Sequence, residues 1–184
     1  MNNPLHILRT LDRHLAGSFD LYVYGRSALA LGYGESAVRF QSTMDVDAIL
    51  PSRDLQAIES NDDFWLAQIK TNEELGDTGL YFTHLFEDRQ VILTPDWLDR
   101  VVPLPIEGLV KLRLYRPSTV DLILTKMMRV DPDDQNDIRF LMTQPDYSAG
   151  AMQSVLFRAV VPHIEEIQEA FSQNRAWLSK QIGI

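Results

Sequence analysis

Asp45 and Asp47, separated by one residue, follow a Gly-Arg-Ser turn at Gly25, Arg26 and Ser27. On a strand, alternate side chains leave on one face, so both carboxylates point the same way while Val46, Ala48 and the apolar run to Leu50 serve a core. Carboxylates this close repel each other, and the pair requires either a cation between them or a proton on one. Magnesium suits the first case, because it takes oxygen ligands, keeps several waters and is held by one or two carboxylates plus substrate phosphates. A glycine at the end of a buried strand lets backbone N–H groups approach an anion, and a helix opening at Arg26 or Ser27 aims its positive end at the same point. Ser27 adds a hydroxyl donor. Taken singly, Asp-x-Asp is a common solvated strand end and Gly-Arg-Ser an ordinary strand-to-helix turn. Their order and separation together point to a site for a metal-bound polyphosphate.

The elements that must position these groups are legible as a coarse series. Residues 4 to 16 predict an amphipathic helix through Leu5, Leu8, Leu11 and Leu15, and Asp20 to Tyr24 a buried strand. Gly32 and Gly34 end the next helix. Helices are predicted at 52 to 59 and 62 to 75, the latter carrying Phe64, Trp65, Leu66 and Ile69. After a turn at Gly76 to Gly79, Leu80 to Phe86 and Gln90 to Leu93 predict a hairpin across Glu87, Asp88 and Arg89. Thr94, Pro95, Asp96 and Trp97 open a short helix, and strands follow near 100 to 103 and 109 to 115. The chain beyond 148 reads as helical, with a break at Pro162. This order predicts an α/β (α+β) fold, a mixed β-sheet with helices packed on it and a helical C-terminal part. We expect a single domain over 1–184, with the sheet core in 1–116 and the helical part in 117–184 packed on that core.

A second cluster of chemistry-bearing residues lies downstream. Ser118 to Asp121 has the form of a capping box with a shorter acid, and Val120, Ile123, Leu124, Met127 and Met128 give the helix an apolar face. Lys126 falls at the border of that face, where a lysine either snorkels to water or meets an anion. Asp131 and Pro132 restart a helix as cap and first residue, and Asp134, Asp137, Ile138 and Leu141 share one side of it. Asp134 either closes the cap or has a further role. Asp137, in mid-helix, is better explained by pairing with Lys126, Arg129 or a ligand.

The order Gly25-x-Ser27, a glycine-ended helix and Thr43-x-Asp45-x-Asp47 resembles the minimal nucleotidyltransferases of the DNA polymerase beta superfamily. It is most similar to the small bacterial group that includes the nucleotidyltransferase toxins of abortive-infection systems. The resemblance extends to Lys126, Asp134 and Asp137, which match that group's paired-helix lysine and aspartates, so that the two regions bracket roughly residues 20 to 142. It implies that Asp45 and Asp47 bind magnesium, with room for two ions, and that Gly25, Arg26 and Ser27 hold the triphosphate of an NTP, with Thr43 before the first aspartate. Lys126 would offset negative charge, and Lys126 and Asp137 would share the catalytic work with the aspartate pair, Asp134 lying on the nucleotide-binding side. Members that catalyse transfer also carry a third carboxylate on a neighbouring strand. The segment expected to supply it here, Arg89 to Thr94, is apolar at its centre, with Glu87 and Asp88 just before it.

The activity so implied is attack of an acceptor hydroxyl on the α-phosphate of the NTP with loss of pyrophosphate. The acceptor is open among a protein side chain, an RNA end and a small molecule. The missing third carboxylate favours a different class of function, a nucleotide- or partner-binding module that has kept the fold and lost the chemistry. A toxin or antitoxin acting through a cognate partner protein is a third reading.

Length and composition narrow the remaining choices. A chain of 184 residues with 45% apolar content can bury a sizeable core. With no cysteine, disulfides, thiolate metal sites and a cysteine nucleophile are excluded. His6, His14, His84 and His163 have no metal-ligand spacing. Neither a Gly-x-x-x-x-Gly-Lys-Ser/Thr loop nor a Gly-x-Ser-x-Gly elbow occurs. The start, Met-Asn-Asn-Pro-Leu-His, has no basic region followed by an apolar stretch, and no run reaches the length of a membrane span. We therefore expect a cytoplasmic protein that does not enter membranes. A formal charge of −9 opposes broad electrostatic binding to nucleic acid. Lys111, Arg113 and Tyr115 alternate along one segment as a local exception that could hold a triphosphate or an RNA end. The alternative, which we favour, is a polar outer face or the protection of an edge strand. Oligomeric state is open.

Overall fold

The computed structural model describes residues 2–183, with the side chains of Ser36 and His84 left aside. The chain forms two compact units, the first running to Glu87 and resuming from Val102 to Arg116, the second comprising Asp88–Val101 and the chain from Pro117 onward.

The first unit is built on a five-stranded mixed sheet. Helix α1 (Asn3–His14) is capped by the Asn2 side chain, which accepts from the Leu5 amide, and it buries Ile7, Leu8 and Leu11. Strand β1 (Phe19–Tyr24) alternates, with Phe19, Leu21 and Val23 buried and Asp20, Tyr22 and Tyr24 half-buried. Helix α2 (Gly25–Gly32) follows it directly. Strand β2 (Asp45–Leu50) leads through a short helix α3 (Leu55–Glu59) to α4 (Asp62–Leu75), whose cap Asn61 accepts from the Phe64 amide. Strands β3 (Tyr81–Glu87), β4 (Val102–Leu104) and β5 (Leu112–Arg116) complete the sheet in the order β3-β2-β1-β5-β4. The β1–β2 and β4–β5 pairs are antiparallel; β1–β5 and β2–β3 are parallel.

One face of this sheet is the core. Phe64 of α4 stacks on Phe19 with ring centres 4.3 Å apart and meets Phe82 edge-on. Asp12 of α1, 5% exposed, accepts from the backbone N–H groups of Val110, Lys111 and Leu112 and so fixes the entry to β5. Burial raises the Asp12 carboxyl, but these three hydrogen bonds and the Lys111 charge outweigh it and hold the group below the usual range.

The other face carries the polar residues in register. Tyr24 lies opposite Asp47, Asp20 opposite Arg113, and Tyr22 opposite both Ile49 and Tyr115. The rings of Tyr22 and Tyr115 stack at 5.4 Å, and Arg113 pairs with Asp20. Strand β5 is flanked by β1 and β4, which overturns the edge-protection reading of Lys111, Arg113 and Tyr115. Lys111 precedes the strand and donates instead to the carbonyls of Arg13 and Leu15.

In the second unit, helix α5 (Thr119–Thr125) is buried on every side, beyond the one apolar face expected. Its Ser118 cap accepts from the Asp121 amide. Asp121, fully buried, is held by Arg100 at 2.9–3.2 Å. Helices α6 (Pro132–Met142), α7 (Ala149–Arg158) and α8 (Glu165–Ile182) follow. Asn174 of α8 donates to the Met127 and Arg129 carbonyls.

The expected hairpin is a correction. Gln90 to Leu93 is not a sheet strand: Asp88–Gln90 is a 3-10 turn, Val91 to Thr94 are all buried in the second unit, and Leu93 makes a single bridge to Val160. The run read as a strand because a short apolar stretch has the same pattern whether it pairs in a sheet or fills a core.

The class itself is α+β, with a mixed sheet bearing helices and a helical C-terminal part. Among the described residues, no helix is long and apolar enough to cross a membrane.

Candidate active site

Strand β1 ends and α2 begins at Gly25, whose φ of +64° is left-handed and favours a residue without Cβ. The helix has no side-chain cap hydrogen bond, and its first residues are Gly25, Arg26 and Ser27. Ser27, 2% exposed, turns its hydroxyl back to donate to the Tyr24 carbonyl at 2.8 Å. That bond closes the turn and fixes where the first amides of α2 point.

Asp47 reaches the same turn from β2. It lies opposite Tyr24 in the antiparallel register, and a Cβ placed on Gly25 would stand 3.6 Å from Asp47 Oδ2. Both Asp45 and Asp47 are half-buried and leave β2 on one face, as the alternation requires. Each has one oxygen held by a threonine hydroxyl. Thr43 donates to Asp45 Oδ1 at 3.1 Å, and Thr83 of β3 donates to Asp47 Oδ1. Gly25, Arg26, Ser27, Thr43, Asp45 and Asp47 thus all belong to the first unit.

Lys126, Asp134 and Asp137 belong to the second unit, where they form an ion cluster. The Lys126 ammonium donates to Asp134 Oδ1 at 3.0 Å and to Asp137 Oδ2 at 2.8 Å, all three side chains being less than a tenth exposed. Arg129 pairs with the second oxygen of Asp134. Burial pushes the Asp134 carboxyl up, but the Arg129 hydrogen bond and the Lys126 charge prevail and leave it below the usual carboxylate range. The cap of α6 is Asp131, which accepts from the Asp133 and Asp134 amides.

The strand beside the aspartate pair is β3, parallel to β2, and Arg89 to Thr94 does not stand there. Asp45 is opposite Tyr81, and between Val46–Phe82 and Ala48–Leu85 the register shifts, so that two residues of the β3 backbone stand against Asp47 alone. Thr83, a residue that sequence spacing does not single out, therefore occupies the neighbouring position where a third carboxylate was sought. Glu87 lies opposite Leu50, a core-facing residue at the far end of β2.

The donor set of the pair is all oxygen, half-buried and oriented, which fits a hard divalent cation such as magnesium. Among the described residues, no group of three or more His, Cys, Asp or Glu side chains is placed to hold a metal ion. A cation here would complete its shell with water and ligand oxygens.

No curated protein and no solved structure matches the chain. A family model does, over residues 7–178, under the description nucleotidyltransferase of unknown function (DUF6036). The match takes in both aspartate clusters and nearly the whole of the sequence, and the chain belongs to this nucleotidyltransferase family.

Proposed function

We propose that the first unit binds an NTP with magnesium and transfers its nucleotidyl group to an acceptor hydroxyl. The observation that carries this reading is the approach of Asp47 Oδ2 to the left-handed Gly25 at the start of α2, which sets a carboxylate pair beside the positive end of a helix. Asp45 and Asp47 would hold the cation, which neutralises phosphate charge when bound. The opening amides of α2 and the Ser27 hydroxyl, turned from the Tyr24 carbonyl, would hold the outer phosphates. Attack by the acceptor oxygen forms one P–O bond at the α-phosphorus and breaks the bond to pyrophosphate, while the acceptor proton passes to solvent or to a base. Orientation and charge stabilisation supply most of the rate in such transfers.

Incubation with each labelled NTP, magnesium and cell extract tests the proposal. Label should move to an acceptor with the wild-type chain and be lost with Asp45→Asn plus Asp47→Asn. Transfer that survives the double substitution would refute the assignment of the pair.

A second reading is favoured by one observation. The strand position facing Asp47 holds Thr83 in place of an acid, as expected of a module that binds nucleotide or a partner protein without transfer. NTP binding that depends on magnesium, with no label transferred in any extract, selects it. Growth arrest on expression, relieved by a neighbouring gene product, would place the chain in a toxin–antitoxin pair.

A further inference from the structure

Thr83 is held in place from two sides. On the outer edge of β3, which is the edge of the sheet, Asn72 of α4 donates to the Phe82 carbonyl at 2.9 Å and accepts from the Phe82 amide at 2.7 Å. Gln68 of α4 donates to the Thr83 carbonyl. These two amides satisfy the edge backbone as another strand would. On the inner edge, the register shift sets two residues of β3 against one of β2, a bulge of the kind that re-aims a side chain. The consequence here is that the Thr83 hydroxyl lies within reach of both the Val46 carbonyl, at 2.8 Å, and Asp47 Oδ1.

A carboxylate on a strand turns about its last torsion with little resistance, and its two oxygens are equivalent until something distinguishes them. Thr83 distinguishes those of Asp47: Oδ1 takes the hydroxyl and Oδ2 faces Gly25. A hydroxyl does this without bringing charge of its own. The same arrangement recurs at Asp45, where Thr43 holds Oδ1.

We propose that Thr83 is a positioning residue that fixes the Asp47 carboxylate so that Oδ2 is presented to a divalent cation at the Gly25 turn. The proposal rests on the metal-site reading above and adds to it a residue outside the Asp-x-Asp motif. Groups that orient metal ligands in this way change metal affinity by about 10–100-fold when removed.

The test is Mn²⁺ binding to the full chain with a non-hydrolysable NTP, followed by electron paramagnetic resonance, with thermal unfolding measured in parallel without metal. Thr83→Val keeps the shape and loses the hydroxyl; Thr83→Ser keeps the hydroxyl. We expect Thr83→Val to weaken Mn²⁺ binding by about 10-fold or more, Thr83→Ser to restore it to within a few-fold of wild type, and Asp47→Asn to abolish it. If the valine variant does not fold, Thr83→Ala is compared with Thr83→Ser in its place. Wild-type affinity in Thr83→Val, or equal weakening in the serine and valine variants, overturns the role of Thr83 while leaving the metal site intact. Absence of Mn²⁺ binding in the wild type, or its persistence in Asp47→Asn, overturns the metal site and the role of Thr83 with it.

Discussion

Asp45 and Asp47 in the first unit are half-buried and oriented by the hydroxyls of Thr43 and Thr83, whereas Asp134 and Asp137 in the second are almost fully buried and share the ammonium of Lys126. A hydroxyl orients a carboxylate and leaves its charge in place; an ammonium at hydrogen-bonding distance cancels much of it. The two pairs therefore stand in different surroundings, although their sequences look equally acidic. In the function proposed above, the first meets a divalent cation. The second is paired with Lys126 and Arg129, and that pairing contributes to the integrity of its own unit.

The largest effect that separates the pairs is expected from Lys126→Met. The substitution leaves two carboxylates buried without their ammonium, and breaking a buried pair in this way costs about 3–5 kcal/mol. Urea denaturation should show that loss, while Asp45→Asn plus Asp47→Asn should change stability by less than about 1 kcal/mol. Equal losses would erase the contrast.

Acid should separate them next. The folded-state pKa of Asp134 lies below its ordinary value of 3.8, so its contribution to stability is complete above that value and is lost as pH falls through the lower folded value. Asp12 follows the same sign through its three backbone hydrogen bonds. Urea midpoints measured from pH 6 downward should fall below about pH 4, and Asp134→Asn should flatten that fall. A fall of unchanged steepness in Asp134→Asn would remove the second pair from the account.

Gly25→Ala tests the turn beside the first pair. At 3.6 Å from Asp47 Oδ2 the added methyl makes ordinary contact, so the expected loss of about 1–2 kcal/mol comes from the left-handed backbone. Substitution without loss would mean that the turn relaxes, and thermal unfolding decides. The smallest effect is expected from Thr43→Val, which removes one hydrogen bond to a half-exposed carboxylate and should cost about 0.5–1 kcal/mol in the same measurement.

What could be read from sequence was local. The α4 boundaries at 62 and 75 were legible around Phe64, Trp65, Leu66 and Ile69, but Leu66 and Ile69 are exposed and the buried face is Phe64, Ala67, Thr71 and Leu75. The β1–α2 junction follows from an apolar strand ending at a glycine, and the break between α7 and α8 from Pro162. The expected strand at Gln90 to Leu93 was wrong because burial on all sides leaves no alternation to separate core filling from pairing. Asp121 with Arg100 was likewise missed, since nothing in a short capping motif announces a guanidinium 21 residues away.

By itself the sequence determined that Asp45 and Asp47 share a face and that a glycine turn opens a helix upstream, because side-chain alternation and backbone freedom are properties of a few consecutive residues. Only the tertiary structure decided which strand lies beside β2, that a bulge sets Thr83 against Asp47, and that Lys126 is held by two acids of α6. Strand pairing joins residues far apart in the chain, and a shift of one residue in register turns a different side chain toward the site.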